Sequence, residues 1–131
     1  MDIFKTFGTD TEREEEGTWV NLGGKAKILV ARAGNKKYSR MLNTLVSKNQ
    51  LALDAKTDEA DDLSDEIMID VIASTILLGW EGIEVDGKPF PYSVENAKTV
   101  LKLKDFKLLV SQNSKNIDNY RSAAEAVVTK K

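Results

Sequence analysis

The stretch from Ile67 to Leu78 is apolar on nearly every side of a helix. Wound at the helical period, its polar neighbours Glu66, Asp70 and Ser74 fall at i, i+4 and i+8 and make one narrow stripe. A helix with so little polar face belongs at the centre of its fold, with the other elements packed around it. The pattern predicts such a helix from Thr57 or Asp58 to Leu77 or Leu78. Asp58, Glu59, Asp61 and Asp62 crowd its first turns, where acids complement the helix dipole. These acids lack the D-x-[DN]-x-[DN]-G register of a calcium loop, so no metal is expected there. Asp70 reads as a position on the surface stripe rather than as a catalytic acid. The run is too short for a membrane span, which needs about 20 apolar residues.

Beyond this run, Gly79 is expected to end the helix in a left-handed cap, with Trp80 folding back as a packed anchor. Ile83 to Phe90, turning at Asp86-Gly87, reads as a short second hairpin or a tight turn. Pro89 and Pro91 hold the next segment extended, because proline fixes its own φ and restricts its predecessor. Ser93 then caps a short helix with Val94, Ala97 and Leu101 on its apolar face. Asp105 caps another that carries Phe106, Leu109 and Val110. After a connector over Ser111 to Asn116, a last helix is expected from Ile117, Tyr120, Ala124 and Val127, fraying at Thr129-Lys130-Lys131.

On the N-terminal side, Thr18-Trp19-Val20-Asn21-Leu22 and Lys25 to Ala31 flank Gly23-Gly24, a β-hairpin signal. Alternation leaves open whether Trp19 or the opposite face is buried. Asn35 caps a helix from Lys36 to about Lys48, with Tyr38, Met41, Leu42 and Leu45 on one stripe. Arg32, Lys36, Lys37 and Arg40 form a basic cluster, read first as a solvated face. Residues 49–58 are expected to be a connector. Residues 1–16 are polar and acidic, with isolated Phe4 and Phe7, and read as a flexible acidic arm. The predicted fold is mainly α, about five helices, with an N-terminal β-hairpin and a short second hairpin. That is an α+β single domain over residues 17–128 behind the arm.

Composition narrows the chemistry. The 131-residue chain has no cysteine and no histidine, so the commonest general base and the commonest soft metal ligands are missing. No Gly-rich elbow presents a serine for nucleophilic attack. An enzyme is therefore not expected, nor a cofactor, and no catalytic, cofactor-binding or metal residue is nominated. With 19 basic against 21 acidic residues the net charge is −2, which argues against nucleic acid as a partner. The acidic start is wrong for a secretory signal. The remaining role is binding another protein. Phe90 and Tyr92, held outwards by the two prolines, and Met41, with its adaptable thioether, are the candidate partner-binding residues.

One series of motifs carries a resemblance. Gly17-Thr18-Trp19-Val20-Asn21-Leu22 is followed by Ala31-Arg32-Ala33-Gly34-Asn35-Lys36-Lys37-Tyr38 and by Leu77-Leu78-Gly79-Trp80-Glu81-Gly82-Ile83. Asp86-Gly87-Lys88-Pro89, Pro91-Tyr92-Ser93, Glu95-Asn96-Ala97 and Asp105-Phe106 complete it. In this order, over residues 17–120, they resemble the tail assembly chaperones of long-tailed bacteriophages. The resemblance implies a mostly helical protein that binds the phage tape measure protein and helps the tail tube assemble around it. It further implies work in the host bacterial cytoplasm, absence from the mature virion, and self-association or contact with the tail tube protein as additional partnerships. A structural tail component that stays in the particle, such as a completion, connector or minor tail protein, is the alternative. A DNA-binding accessory using Arg32, Lys36, Lys37 and Arg40 is a more distant one.

Overall fold

In the computed structural model, which describes residues 1–121, the elements run α1 (Ile3–Phe7), α2 (Thr11–Glu16), β1 (Thr18–Gly23) and β2 (Ala26–Val30). They continue with α3 (Lys36–Lys48), α4 (Gln50–Asp54), α5 (Asp58–Thr75), β3 (Leu77–Glu81), β4 (Glu84–Val85) and β5 (Lys88–Pro89). Next come α6 (Val94–Leu101), α7 (Lys104–Lys115) and a 3₁₀ turn at Ile117–Tyr120. The fold is α+β, mainly helical, as the pattern predicted. The strands form an antiparallel sheet in the order β1-β2-β3 and a separate two-stranded ribbon of β4 and β5.

Local signals explain most of these elements. Asn35 Oδ1 accepts the Tyr38 amide at 2.9 Å, Ser93 Oγ accepts that of Asn96 at 3.0 Å, and Thr57 Oγ1 accepts that of Ala60 at 3.1 Å. Each satisfies one of the orphan donors that open a helix. The ribbon turns on Asp86 and Gly87, both at positive φ (54° and 76°), the backbone of a type I′ hairpin.

The central helix forms, but its C-terminal end is not where the pattern put it. α5 stops at Thr75, Ile76 is its cap, and Leu77 to Glu81 is a strand against β2. Gly79 is therefore a strand residue rather than a left-handed cap; Gly82, at φ +72°, is the glycine the turn requires. A continuous apolar run does not distinguish a buried helix from a buried strand by period. Here β2 decides. Ile28 and Val30 are fully buried at the sheet's centre, and the β2 backbone needs a partner on its second side. The Ala31 amide donates to Ile76 O at 2.8 Å where helix passes into strand.

The core lies between this sheet and the helices. It joins Ile28 and Val30 to Ile72, Ala73 and Ile76 of the α5 end, Leu77 and Trp80 of β3, and Ala97, Leu101 and Val110 of α6 and α7. On the opposite sheet face Trp19 is 45% exposed, which settles its orientation. A Cβ built on Gly79 lies 4.0 Å from the Trp19 Cη2 and 3.7 Å from Leu29 Cβ, so the indole lies across a side-chain-free patch of β3. Lys27 Nζ sits 4.4 Å from the Trp19 ring centroid and 3.1 Å from Glu81 Oε2.

Four further segments differ from the expectation. Residues 1–16 hold two short helices, each capped by an aspartate, Asp2 and Asp10. The second is tied down: the Asp10 amide donates to Tyr120 O at 2.7 Å, and Arg13 Nη1 to Arg121 O at 2.7 Å. The connector expected over residues 49–58 contains α4. α7 runs on through Ser111 to Lys115, and Asp105 lies in its first turn while Leu103 holds the cap position. Tyr120, expected on a last helix, ends a 3₁₀ turn and is fully buried. The Ala124 and Val127 positions of that helix lie outside the described residues.

Candidate partner-binding surface

α3 carries the stripe that the sequence announced, yet none of its residues is fully buried. Tyr38 packs against the core, while Met41, Leu42, Leu45 and Val46 stay half-buried. The helix is held at its start. The Asn35 side-chain amide donates to Arg32 O at 2.8 Å and to Thr75 O at 3.2 Å, and the Ala33 amide donates to Ser114 O at 2.9 Å. Between α3 and the end of α5 lies a shallow open groove of about 460 Å³. Lys37, Arg40, Met41, Thr44 and Leu45 line one side, Ser74 and Thr75 the other. Met41 thus lies in this groove.

Phe90 and Tyr92 do not. The two prolines hold the segment extended, but they turn both rings inwards. Phe90 stacks on Trp80 with centroids 5.9 Å apart, and its carbonyl accepts the indole Nε1–H at 2.7 Å. Tyr92 meets the same indole edge-on at 5.1 Å and donates its hydroxyl to Leu77 O at 2.8 Å. Burial raises the Tyr92 phenol above its ordinary value. These two residues complete the packing around Trp80, and neither lines the groove beside Met41. The outward orientation expected of them is corrected by the buried indole N–H and the Leu77 carbonyl, both of which need partners.

The basic cluster divides. Arg32 Nη1 pairs with Glu14 Oε2 of α2 at 3.0 Å, and its backbone amide donates to Glu14 O at 2.9 Å. Lys36, Lys37 and Arg40 pair with no carboxylate among the described residues. Glu15 shares a polar cleft of about 160 Å³ with these three cations without an ion pair. Asp70, half-buried, pairs with Lys98 at 3.4 Å and raises that ammonium above its ordinary value. No three acidic residues converge closely enough to hold a metal among the described residues. No helix among them is long and apolar enough to cross a membrane.

Other exposed apolar side chains went unnoticed in the sequence. Leu51 on α4 is 92% exposed, hidden from prediction because its segment read as a connector. Leu103 and Leu108, at the start and middle of α7, are also exposed. The groove beside Met41 brings cations, hydroxyls and an apolar floor together.

A family model described as YdaY prophage protein matches residues 33–131, from just after β2 to the end of the chain. No curated protein and no solved structure matches. The match takes in α3, the groove, α5 and the Phe90 and Tyr92 rings against Trp80, and on that extent the chain belongs to the YdaY prophage protein family and is of phage origin.

Proposed function

We propose that the protein is a tail assembly chaperone that binds the phage tape measure protein and keeps it soluble while the tail tube forms around it. The observation that carries this reading is the apolar groove beside Met41, open to solvent on a helix with no fully buried residue. A chaperone for a long helical client needs apolar surface that is offered without costing its own solubility. An amphipathic client helix fits a groove between two helices. Phage origin and the motif series over residues 17–120 support the same role. The proposal extends to action in the host bacterial cytoplasm, absence from the finished virion, and no catalytic activity.

The test is co-expression with the tape measure protein encoded in the same prophage. The chain should co-purify with that client and raise its soluble yield, and Met41→Asp should remove both effects. Mass spectrometry of purified virions is the second arm. Finding this chain there at fixed copy number would replace the chaperone reading with a structural tail component.

A further inference from the structure

We propose that the groove between α3 and α5 is built for an acidic amphipathic helix, with the partner's apolar stripe on Met41 and Leu45 and its carboxylates on Lys37 and Arg40. This rests on the reading of the groove as the client surface and adds the chemistry of the client.

Three observations converge. Lys37, Arg40, Met41, Thr44 and Leu45 recur at i, i+3, i+4, i+7 and i+8, so cations and apolar floor share one face of α3. Lys37 and Arg40 have no carboxylate partner among the described residues. Lys36 and Lys37 also occupy the first turn of α3, which holds no acid. Cations there oppose the helix dipole, so they cost the free protein stability and favour an arriving carboxylate.

The chain itself supplies a short-range precedent. α2 is acidic, and its Glu14 docks on Arg32 beside the start of α3. That contact neutralises the first cation of the cluster and leaves the groove's two open. The apolar floor separates this surface from one for nucleic acid, whose phosphates need cations but not a thioether and a leucine beneath them.

The test measures fluorescence anisotropy of the full-length protein with two labelled synthetic helices of roughly 18 residues, about five turns. Both carry the same leucine stripe; one is flanked by glutamates, the other by lysines. A DNA duplex of similar length is the third probe. The glutamate helix should bind about tenfold tighter than the lysine helix at low salt, from two rim ion pairs, and the gap should close as salt rises. Lys37→Glu combined with Arg40→Glu should reverse the preference; both side chains are exposed, and circular dichroism checks that the variant folds. Equal affinity for the two helices, no measurable binding of either, or an unchanged preference in the double variant would each overturn the proposal. Tighter binding of DNA than of the glutamate helix would overturn it in favour of a phosphate site. The tape measure pull-down separates the two claims. Capture that persists undiminished in the double variant leaves the chaperone and removes the charge inference. Failed capture with the peptide preference intact removes the chaperone and keeps the groove's chemistry.

Discussion

Replacing the two glycines of Leu77-Leu78-Gly79-Trp80-Glu81-Gly82-Ile83 one at a time should give opposite results. Gly82 sits at φ +72°, where an L side chain costs roughly 1–2 kcal/mol. A Cβ there would also run into the backbone of Lys25 and lie 3.0 Å from the Ala26 amide nitrogen. Neither is a side chain that swings away, so the first hairpin must shift, which adds about 1–3 kcal/mol. Gly82→Ala should therefore cost about 2–5 kcal/mol. Gly79 has an ordinary strand φ, and its nearest neighbours to a new Cβ are Leu29 Cβ at 3.7 Å and Trp19 Cη2 at 4.0 Å, normal packing distances. Glycine inside a strand is worse than alanine by roughly 0.5–1 kcal/mol, so Gly79→Ala should be neutral to mildly stabilising. Urea unfolding monitored by tryptophan fluorescence and circular dichroism reads both differences at constant m-value. Thermal melts should move by several degrees for Gly82→Ala and barely for Gly79→Ala. If Gly79→Ala cost more than about 2 kcal/mol while Gly82→Ala cost almost nothing, Gly79 would be the left-handed cap after all, and β3 would have no standing.

Tyr92→Phe should cost about 1 kcal/mol, since it leaves the carbonyl of Leu77 without its hydroxyl donor while the ring stays against Trp80; urea titration reads the difference. Burial pushes the Tyr120 phenol well above its ordinary 10.0, with the Glu14 carboxylate adding to the rise and the Arg32 guanidinium opposing it. The folded state thus keeps a proton that the unfolded state releases, so stability from this group is complete below pH 10 and declines as pH rises beyond it, by up to about 1.4 kcal/mol per pH unit. Urea midpoints between pH 9 and 11 should show the decline, and Tyr120→Phe should flatten it. Met41→Asp should leave stability within about 1 kcal/mol, because the side chain is only half-buried, yet abolish retention of the tape measure protein in the pull-down.

What the sequence disclosed was local. Asp86-Gly87, Asn35, Thr57 and Ser93 each fix a turn or a cap through their own backbone or side chain, and each is found in its expected role; the first hairpin also forms, but it turns on Gly24-Lys25, with Gly23 the last residue of β1. What it withheld depends on distant partners. Leu77 to Glu81 becomes a strand because β2 lies alongside, a fact that no window around Gly79 contains. Polar Ser111 to Lys115 stays helical where Ser114 is buried and its carbonyl accepts the distant Ala33 amide at 2.9 Å. The same division holds at the site. The place of Met41 on the half-buried stripe of α3 was legible from the helical period. The direction of Phe90 and Tyr92 was not: proline restricts the backbone, and only the Trp80 N–H and the Leu77 carbonyl say which way the rings must turn.

The contrast between α5 and α3 bears on how a small protein offers apolar surface without losing its fold. α5 buries Ala60, Ile67, Val71, Ile72, Ala73 and Thr75, and its last residues pass straight into the sheet. Trp80, Phe90 and Tyr92 then lock the strand that follows. Cohesion is concentrated there, where Trp80 and Tyr92 are both packed and hydrogen-bonded. α3 contributes only partial burial, and its fixed points, Asn35 and Ala33, lie at its N-terminal end. Its half-buried leucines and Met41 therefore sit on an element that gives less of its surface to the core than α5 does. On the proposed reading, a client helix laid along that face would gain the burial that the free protein leaves incomplete, without touching the core around Trp80. On the same reading, the cations at the α3 start weaken the helix slightly when it is alone, and a partner's carboxylates would reverse that effect.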